Sequence, residues 1–271
     1  MKLLSPAKLN LFFRILGKRS DGYHDISSLH QTIDLFDTIT IRPSAGDSFS
    51  CTHPDVPKGT DNLILHAVHL FRKTTGKLQP VSIHLEKVIP LESGLGGASS
   101  NAATILWGLN ELTRRPLSLT QLKLLGRKLG ADVPFFFSLG TAHCTGIGEL
   151  IEDLPALPEQ KVFLAVPEFG LSTKEVYQKV DMQALSDRLP EELLSQWRKG
   201  EAVCVNDLES AAFSIRPELR SFKEKLQTMP FEQVSMTGSG SAFFCLGFSD
   251  VPENLKGQLA KFHSRKQDSW Y

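Results

Sequence analysis

The stretch Ile89-Pro90-Leu91-Glu92-Ser93-Gly94-Leu95-Gly96-Gly97-Ala98-Ser99-Ser100-Asn101-Ala102-Ala103 constrains this chain more than any other. It sets three glycines and three serines between two segments of different period. Upstream, Val81, Ile83, Leu85, Lys87 and Ile89 share one parity, as in a half-buried strand that Pro90 ends. Downstream, Ala102, Ile105, Leu106, Leu109 and Leu112 recur at helical spacing, with Ser99 or Ser100 as the expected N-cap. A glycine-rich loop that opens a helix exposes bare N–H groups at the positive end of the helix dipole. That arrangement suits an anion, most often phosphate.

The loop is neither of the two common nucleotide motifs. No Gly-Lys-Ser/Thr closes it as in a P-loop, and Ser99 stands where a dinucleotide fingerprint has its third glycine. A tight strand-to-helix turn explains an isolated Gly-x-Gly-Gly equally well. The serine pair adds hydroxyls able to meet phosphate oxygens or a magnesium ion.

Near the start, Ala7, Leu9, Leu11, Phe13 and Ile15 alternate with Lys8, Asn10, Phe12 and Arg14, which predicts a strand. Period two then puts Lys8 and Asn10 on one face, either a solvated sheet surface or a polar site. A turn-rich segment follows, ending in Tyr23 and His24. These are either loop surface or an aromatic shelf with an imidazole, suited to a flat polar ligand such as a nucleobase. Strands are expected around residues 26–33 and 38–42, and loop or edge from 43 to 59. Asp61 is the expected cap of a helix that Gly76 ends, and Ser118 caps another. Asp132, in a small-residue turn before Phe135-Phe136-Phe137, is either a turn former or a working carboxylate.

Leu154-Pro155-Ala156-Leu157-Pro158 reads as a domain boundary, giving units 1–157 and 158–271. Beyond it a strand is expected over 162–166. Ser172-Thr173-Lys174-Glu175 has the capping-box form and starts a helix carrying Tyr177. Polar helices over 191–198, 207–213 and 217–226 come next. Val234 to Phe244 reads as strand, Gly/Ser loop, strand, and a helix over 252–263 closes the chain.

With 271 residues, 41% of them hydrophobic, the chain has material for a packed core in one large or two modest domains. Lys+Arg and Asp+Glu both number 30, so no basic excess points to nucleic acid. Cys51, Cys144, Cys204 and Cys245 lack any zinc or redox spacing and read as free thiols of a reducing, cytoplasmic environment. Lys2, Lys8 and Arg14 interrupt the N-terminus, which does not read as a signal peptide, and no segment has the length and apolarity of a membrane span.

Three motifs in this order resemble those of the GHMP small-molecule kinases: Ser5-Pro6-Ala7-Lys8-Leu9-Asn10-Leu11, the Pro90–Ala103 loop, and Met236-Thr237-Gly238-Ser239-Gly240-Ser241. Asp21-Gly22-Tyr23-His24 and Gly130-Ala131-Asp132-Val133-Pro134 narrow the resemblance to the branch that phosphorylates a cytidine diphosphate-linked methylerythritol in non-mevalonate isoprenoid synthesis. The resemblance runs from Ser5 to about Phe248 and thins between Asp181 and Val203. It implies an α/β (α+β) fold of two domains, the N-terminal half like ribosomal protein S5 domain 2 and the C-terminal half ferredoxin-like.

It also implies ATP with Mg2+, and transfer of phosphate to the 2-hydroxyl of the methylerythritol unit. No protein ligand set for a metal is implied, and monomer and homodimer both stay open. Asp132 would take the hydroxyl proton and Lys8 would orient it. Pro90, Leu91, Glu92, Ser93, Gly94, Leu95, Gly96, Gly97, Ala98, Ser99 and Ser100 would wrap the ATP phosphates, with Asn62 and Lys87 near the adenine. Asn10 would bind near the sugar alcohol and His24 would read the cytosine edge. Tyr23 and Tyr177 would stack on the base. Gly238, Ser239 and Gly240 would border the site from the second domain. Glu92 and Ala98 depart from the family loop, which has a small residue and a glycine there. Glu92 is therefore expected to point to solvent.

The alternatives are another GHMP kinase acting on homoserine, mevalonate or a sugar, and a GHMP-fold protein that binds nucleotide without turnover. The Asp21–His24 tetrad speaks against the first, because those acceptors carry no base. Retention of both Lys8 and Asp132 speaks against the second.

Overall fold

The computed structural model describes residues 1–251 and 255–271. Its first sheet comes from the first half of the chain: β1 (Lys2–Lys18), β2 (His24–Pro43), β3 (Ser48–Cys51), β4 (Val81–Glu86), β5 (Thr141–Gly146) and β6 (Leu150–Asp153). The order is β3-β4-β2-β5-β6, with β1 paired antiparallel to β2. Helices α1 (Leu63–Thr75), α2 (Gly97–Leu112) and α3 (Leu119–Arg127) pack against this sheet, together with a 3-10 helix over Val133–Phe137. Ile39, Ile41, Ile83 and Leu85 meet Phe71, Ile105, Leu106 and Leu122 there in one apolar core. The alternation read in β1 puts Ala7, Leu9 and Leu11 fully inside.

The second half builds a separate sheet from β7 (Lys161–Ala165), β8 (Gln233–Met236), β9 (Phe243–Leu246) and β10 (Gln258–Lys261). Its order is β10-β7-β9-β8 and every pairing is antiparallel. In chain order that is 4-1-3-2, the strand order of a ferredoxin-like sheet. Helices α4 (Thr173–Gln178), α5 (Pro190–Arg198), α6 (Glu209–Ile215) and α7 (Pro217–Gln227) accompany it.

The two halves share apolar cores. Leu9, Leu11, Leu29 and Ile33 of the first sheet pack with Val162, Leu164, Phe244 and Leu246 of the second. Phe13 receives a backbone bond from Asp207 and gives one to Val205. A buried ion pair, Arg14 Nε to Asp207 Oδ2 at 2.8 Å, ties the same seam, and Asp207 also accepts from the backbone of Ile15 and Ser186. The chain end returns to the first half: Arg265 donates to the carbonyls of Phe137 and Ser138, and Trp270 Nε1 donates to Leu4.

Four expectations need correction. The segment 252–263 is not a helix in its described part. Residues 258–261 form edge strand β10 on β7, residues 255–257 are irregular, and 252–254 lie outside the described residues. Residues 26–33 and 38–42 are one continuous strand, which a register shift opposite Pro6/Ala7 kinks without breaking. The cap of α1 is Asn62, whose side chain accepts from Ile64 N, rather than Asp61. The cap of α2 is Gly96 in the left-handed region, so Ser99 and Ser100 lie inside the first turn.

Candidate active site

The loop before α2 is held in place by both halves. Its entry is fixed by Asp37, which is fully buried. Asp37 Oδ1 accepts from Val88 N at 2.7 Å and Ile89 N at 2.8 Å, and Oδ2 pairs with Lys87 Nζ at 2.9 Å. Burial lowers the Lys87 ammonium, and the Asp37 charge pulls it back. Further on, Leu95 O accepts from Lys8 N, Glu92 O from Leu171 N, and Ser93 O from Ala242 N.

Two glycines permit this closeness. Gly94, at φ +78°, lies against the Thr237 carbonyl, with which any Cβ would collide. Gly96, at φ +72°, would put a Cβ 2.9 Å from Lys8 Cγ. The first-turn N–H groups of Gly97, Ala98 and Ser99 have no intrahelical acceptor and are free to meet an anion. Glu92 is exposed at φ +49°, packs beside Gly170 and lines the cleft.

Beside the loop sits a polar cluster on β1. Lys8 Nζ stands 3.5 Å from Asp132 Oδ2 and donates to Asn10 Oδ1 at 2.5 Å. The Lys8 side chain is 4% exposed, whereas that of Asp132 is 35% exposed. Asp132 immediately precedes the 3-10 helix, whose three phenylalanines are buried. Burial raises the Asp132 carboxyl, but the Lys8 charge, with a smaller His30 contribution, outweighs it and holds the group below the ordinary carboxylate value. The second half closes over the cluster. Thr237 Oγ1 accepts from Asn10 N at 3.0 Å, and Gly238 is so near that a Cβ would lie 3.0 Å from Asn10 Oδ1.

The cleft between these parts has a volume of about 990 Å3 and a third wall of rings. His24 and Tyr177 have centroids 5.5 Å apart at 30°, and Tyr23 is 59% exposed at the rim. Burial, and then the charge of Lys18, lower the His24 imidazole. The cleft brings together Lys8, Asn10, Asp132, Tyr23, His24, Tyr177, Gly238, Ser239, Lys87 and the loop from Pro90 to Ser99.

Three expected residues stay outside its lining. Asn62 is committed to capping α1 and to the Pro57 carbonyl. Ser100 is fully buried and accepts from Ser5 Oγ at 2.8 Å. Gly240 is buried behind the loop, its N–H bonded to Thr237 O. Sequence reasoning missed Asp37 and His30, which stand in no motif with a chemical signature of its own, and gave no role to Thr237, which stands inside the third motif.

Comparisons with known proteins show the family. Residues 62–140 match the family model of the GHMP kinases N terminal domain. The 4-diphosphocytidyl-2-C-methyl-D-erythritol kinase of Protochlamydia amoebophila is 44% identical over 272 aligned positions, covering 100% of this chain and 93% of the relative. This chain belongs to the 4-diphosphocytidyl-2-C-methyl-D-erythritol kinase family of GHMP kinases. The chloroplastic member from Arabidopsis thaliana is 40% identical over 100% of this chain and 76% of its own length. A solved 4-(cytidine 5'-diphospho)-2C-methyl-D-erythritol kinase superposes with a TM-score of 0.81 at 33% identity, covering 96% of this chain and 98% of that one. Homoserine kinase from Cytophaga hutchinsonii shares only the fold, with a TM-score of 0.73 at 16% identity over 98% of this chain and 95% of that one. The fold of this family member is thus the two-domain α+β GHMP kinase fold. No helix among the described residues is long and apolar enough to cross a membrane.

Proposed function

We propose that this GHMP kinase transfers the γ-phosphoryl group of ATP to the 2-hydroxyl of 4-diphosphocytidyl-2-C-methyl-D-erythritol, releasing ADP and the 2-phosphate. The observation that carries this reading is one cleft joining a helix-start anion loop, a Lys8–Asp132 pair and a His24–Tyr177 ring wall. An acceptor without a base would leave the ring wall unused.

Phosphoryl transfer passes through a loose transition state, so positioning and charge neutralisation do most of the work. The N–H groups at the start of α2 hold the nucleotide phosphates. Lys8, gripped by Asn10, holds Asp132 in place, and Asp132 meets the acceptor hydroxyl, with the sugar alcohol lying beside the Lys8–Asn10 face. Because Lys8 weakens Asp132 as a base, the proton leaves the hydroxyl late, once the oxygen is bonding to phosphorus. The ring wall takes the cytosine, with His24 at its polar edge.

A magnesium ion fits as part of the nucleotide. Ser99 lines the cleft and its hydroxyl has no hydrogen bond among the described residues, where no group of three His, Cys, Asp or Glu side chains forms a metal cage. Ser99 is the side chain that would touch the ion, which supplies charge neutralisation on the transferring phosphates. We also place the boundary between the two domains at 157/158, since the first sheet ends at Asp153 and the second begins at Lys161.

The test is ADP release by the purified protein with ATP and magnesium, offering the cytidylyl acceptor beside mevalonate, homoserine and galactose. Turnover confined to the cytidylyl acceptor is expected. Comparable turnover with any of the others, or none with the cytidylyl acceptor, overturns the assignment.

A further inference from the structure

His30 is a fully polar side chain at the centre of the first sheet, 1% exposed, directly across from Asn10 in the β1–β2 register. Its Nε2 lies 2.7 Å from Asn10 Nδ2. Both hydrogens of the Asn10 amide are therefore engaged, one by His30 and one by Ser28 Oγ at 2.9 Å. Ser28 spends its own hydrogen on the Phe12 carbonyl, at 2.7 Å, which leaves its oxygen free to accept. The Asn10 nitrogen has no hydrogen left, and its oxygen meets the Lys8 ammonium.

We propose that His30 is a positioning residue for phosphoryl transfer, fixing the Asn10 amide so that its oxygen holds Lys8 against Asp132. The inference rests on Lys8 and Asp132 being the reacting pair. An asparagine amide is nearly symmetrical in shape, so packing alone does not choose between its two orientations. The flipped amide would put N–H against the Lys8 ammonium, with no acceptor for it. Lys8, Ser28 and the Thr237 hydroxyl oppose that flip, and His30 adds the contact on the remaining hydrogen, because the flipped Asn10 oxygen would face the Nε2 lone pair. The device needs a neutral ring with its proton on Nδ1.

One observation supports the neutral ring, and a second shows what the position gains. Burial, with the Lys8 charge beside it, pushes the His30 imidazole down to about 3, against an opposing pull from Asp132 and a further lowering by His143. His30 Nδ1 is buried with no hydrogen-bond partner among the described residues, and the ring stands edge-on to Phe135 at 5.0 Å. A buried polar atom left unpaired is destabilising. An apolar residue would suit that side of the ring better, so what the position gains is the acceptor at Nε2.

The proposal separates three substitutions. His30→Leu removes the acceptor. His30→Asn supplies a polar group at the Nδ1 position only. His30→Gln places an oxygen where Nε2 stood. The expected result is a kcat lowered about tenfold or more in the first two and largely restored in the third, with the KM for ATP unchanged. In the Asn10→Ala background, His30→Leu is expected to lower kcat no further. A wild-type kcat in His30→Leu, no recovery in His30→Gln, or independent multiplication of the two losses overturns the proposal. A readout free of turnover runs beside these: nitrogen-15 NMR of the wild-type ring is expected to show an unprotonated Nε2. A protonated Nε2 sinks the proposal whatever the enzyme phosphorylates, whereas turnover with a different acceptor sinks only the activity assignment.

Discussion

The Lys8 ammonium and the Asp132 carboxylate stand 3.5 Å apart with opposite access to solvent: Lys8 is sealed at 4% exposure and Asp132 is open at 35%. The lysine is thus a fixed charge of the scaffold, and the aspartate is the partner a substrate can reach. Asp132→Asn keeps the shape and removes the negative charge. It is expected to lower kcat by about 10²-fold or more while binding of a non-hydrolysable ATP analogue is retained. Near-normal turnover in this variant would remove Asp132 from the reaction.

The same pair predicts a pH effect of definite sign. An ordinary aspartate titrates near about 3.9, and Lys8 holds Asp132 below its ordinary value despite burial. Activity limited by this carboxylate therefore persists as pH falls, until below that ordinary range. Lys8→Met removes the lowering charge and leaves the burial, so the carboxyl should titrate higher. Carbon-13 NMR of the Asp132 carboxyl in both proteins reads this directly. An unchanged or lower midpoint in Lys8→Met would contradict this balance of burial and charge.

His24 and Tyr177 form the ring wall of the cleft. His24→Ala should raise the KM for the cytidylyl acceptor about tenfold, the cost of one lost hydrogen bond, and move that for ATP far less. Equal changes in both would contradict a wall dedicated to the base.

Lys87, expected near the adenine, lines the cleft, and its ammonium is bound to Asp37 and the Ile89 carbonyl at the entry to the phosphate loop. Lys87→Met leaves a fully buried carboxylate without its cation, which typically costs about 3–5 kcal/mol. Adding Asp37→Asn should return part of that loss, because the amide oxygen still accepts from Val88 and Ile89 without a charge. Urea unfolding of the single and double variants measures the difference. A double variant less stable than Lys87→Met would show that the pair does not work as a unit.

These residues also mark what the sequence could and could not tell. The phosphate loop was readable because its chemistry is local: glycines, serines and a change of period stand side by side. Lys8 and Asn10 were readable as sharing a face because strand parity is local too. The Asp37 partner of Lys87 was not readable because it lies fifty residues away, on β2. Ser100 looked available until the Ser5 hydroxyl, ninety-five residues away, proved to hold it. The expected terminal helix failed for a related reason. Leu255, Leu259 and Phe262 repeat at helical spacing, yet residues 258–261 are held by backbone pairing to β7, which leaves no periodic signal, and Leu259 is 61% exposed.

The low-titrating His30 predicts how stability changes with acidity. In the unfolded chain a histidine titrates near about 6.5, whereas in the fold burial and Lys8 push His30 down to about 3. Between those values the unfolded state binds a proton that the folded state refuses. The neutral ring thus contributes stability that is complete above the unfolded value. It is lost progressively as pH falls toward the folded one, by up to about 1.4 kcal/mol per pH unit. His24, His143 and His263 are lowered too, each with burial as its leading cause, so they contribute in the same direction. The His30 share is the difference between wild type and His30→Gln, which lacks the titrating group. Denaturant unfolding at a series of pH values below 6.5 should give a steeper decline in the wild type. Parallel curves would mean that His30 takes up its proton as readily in the fold as outside it, and that the neutral acceptor opposite Asn10 is not maintained.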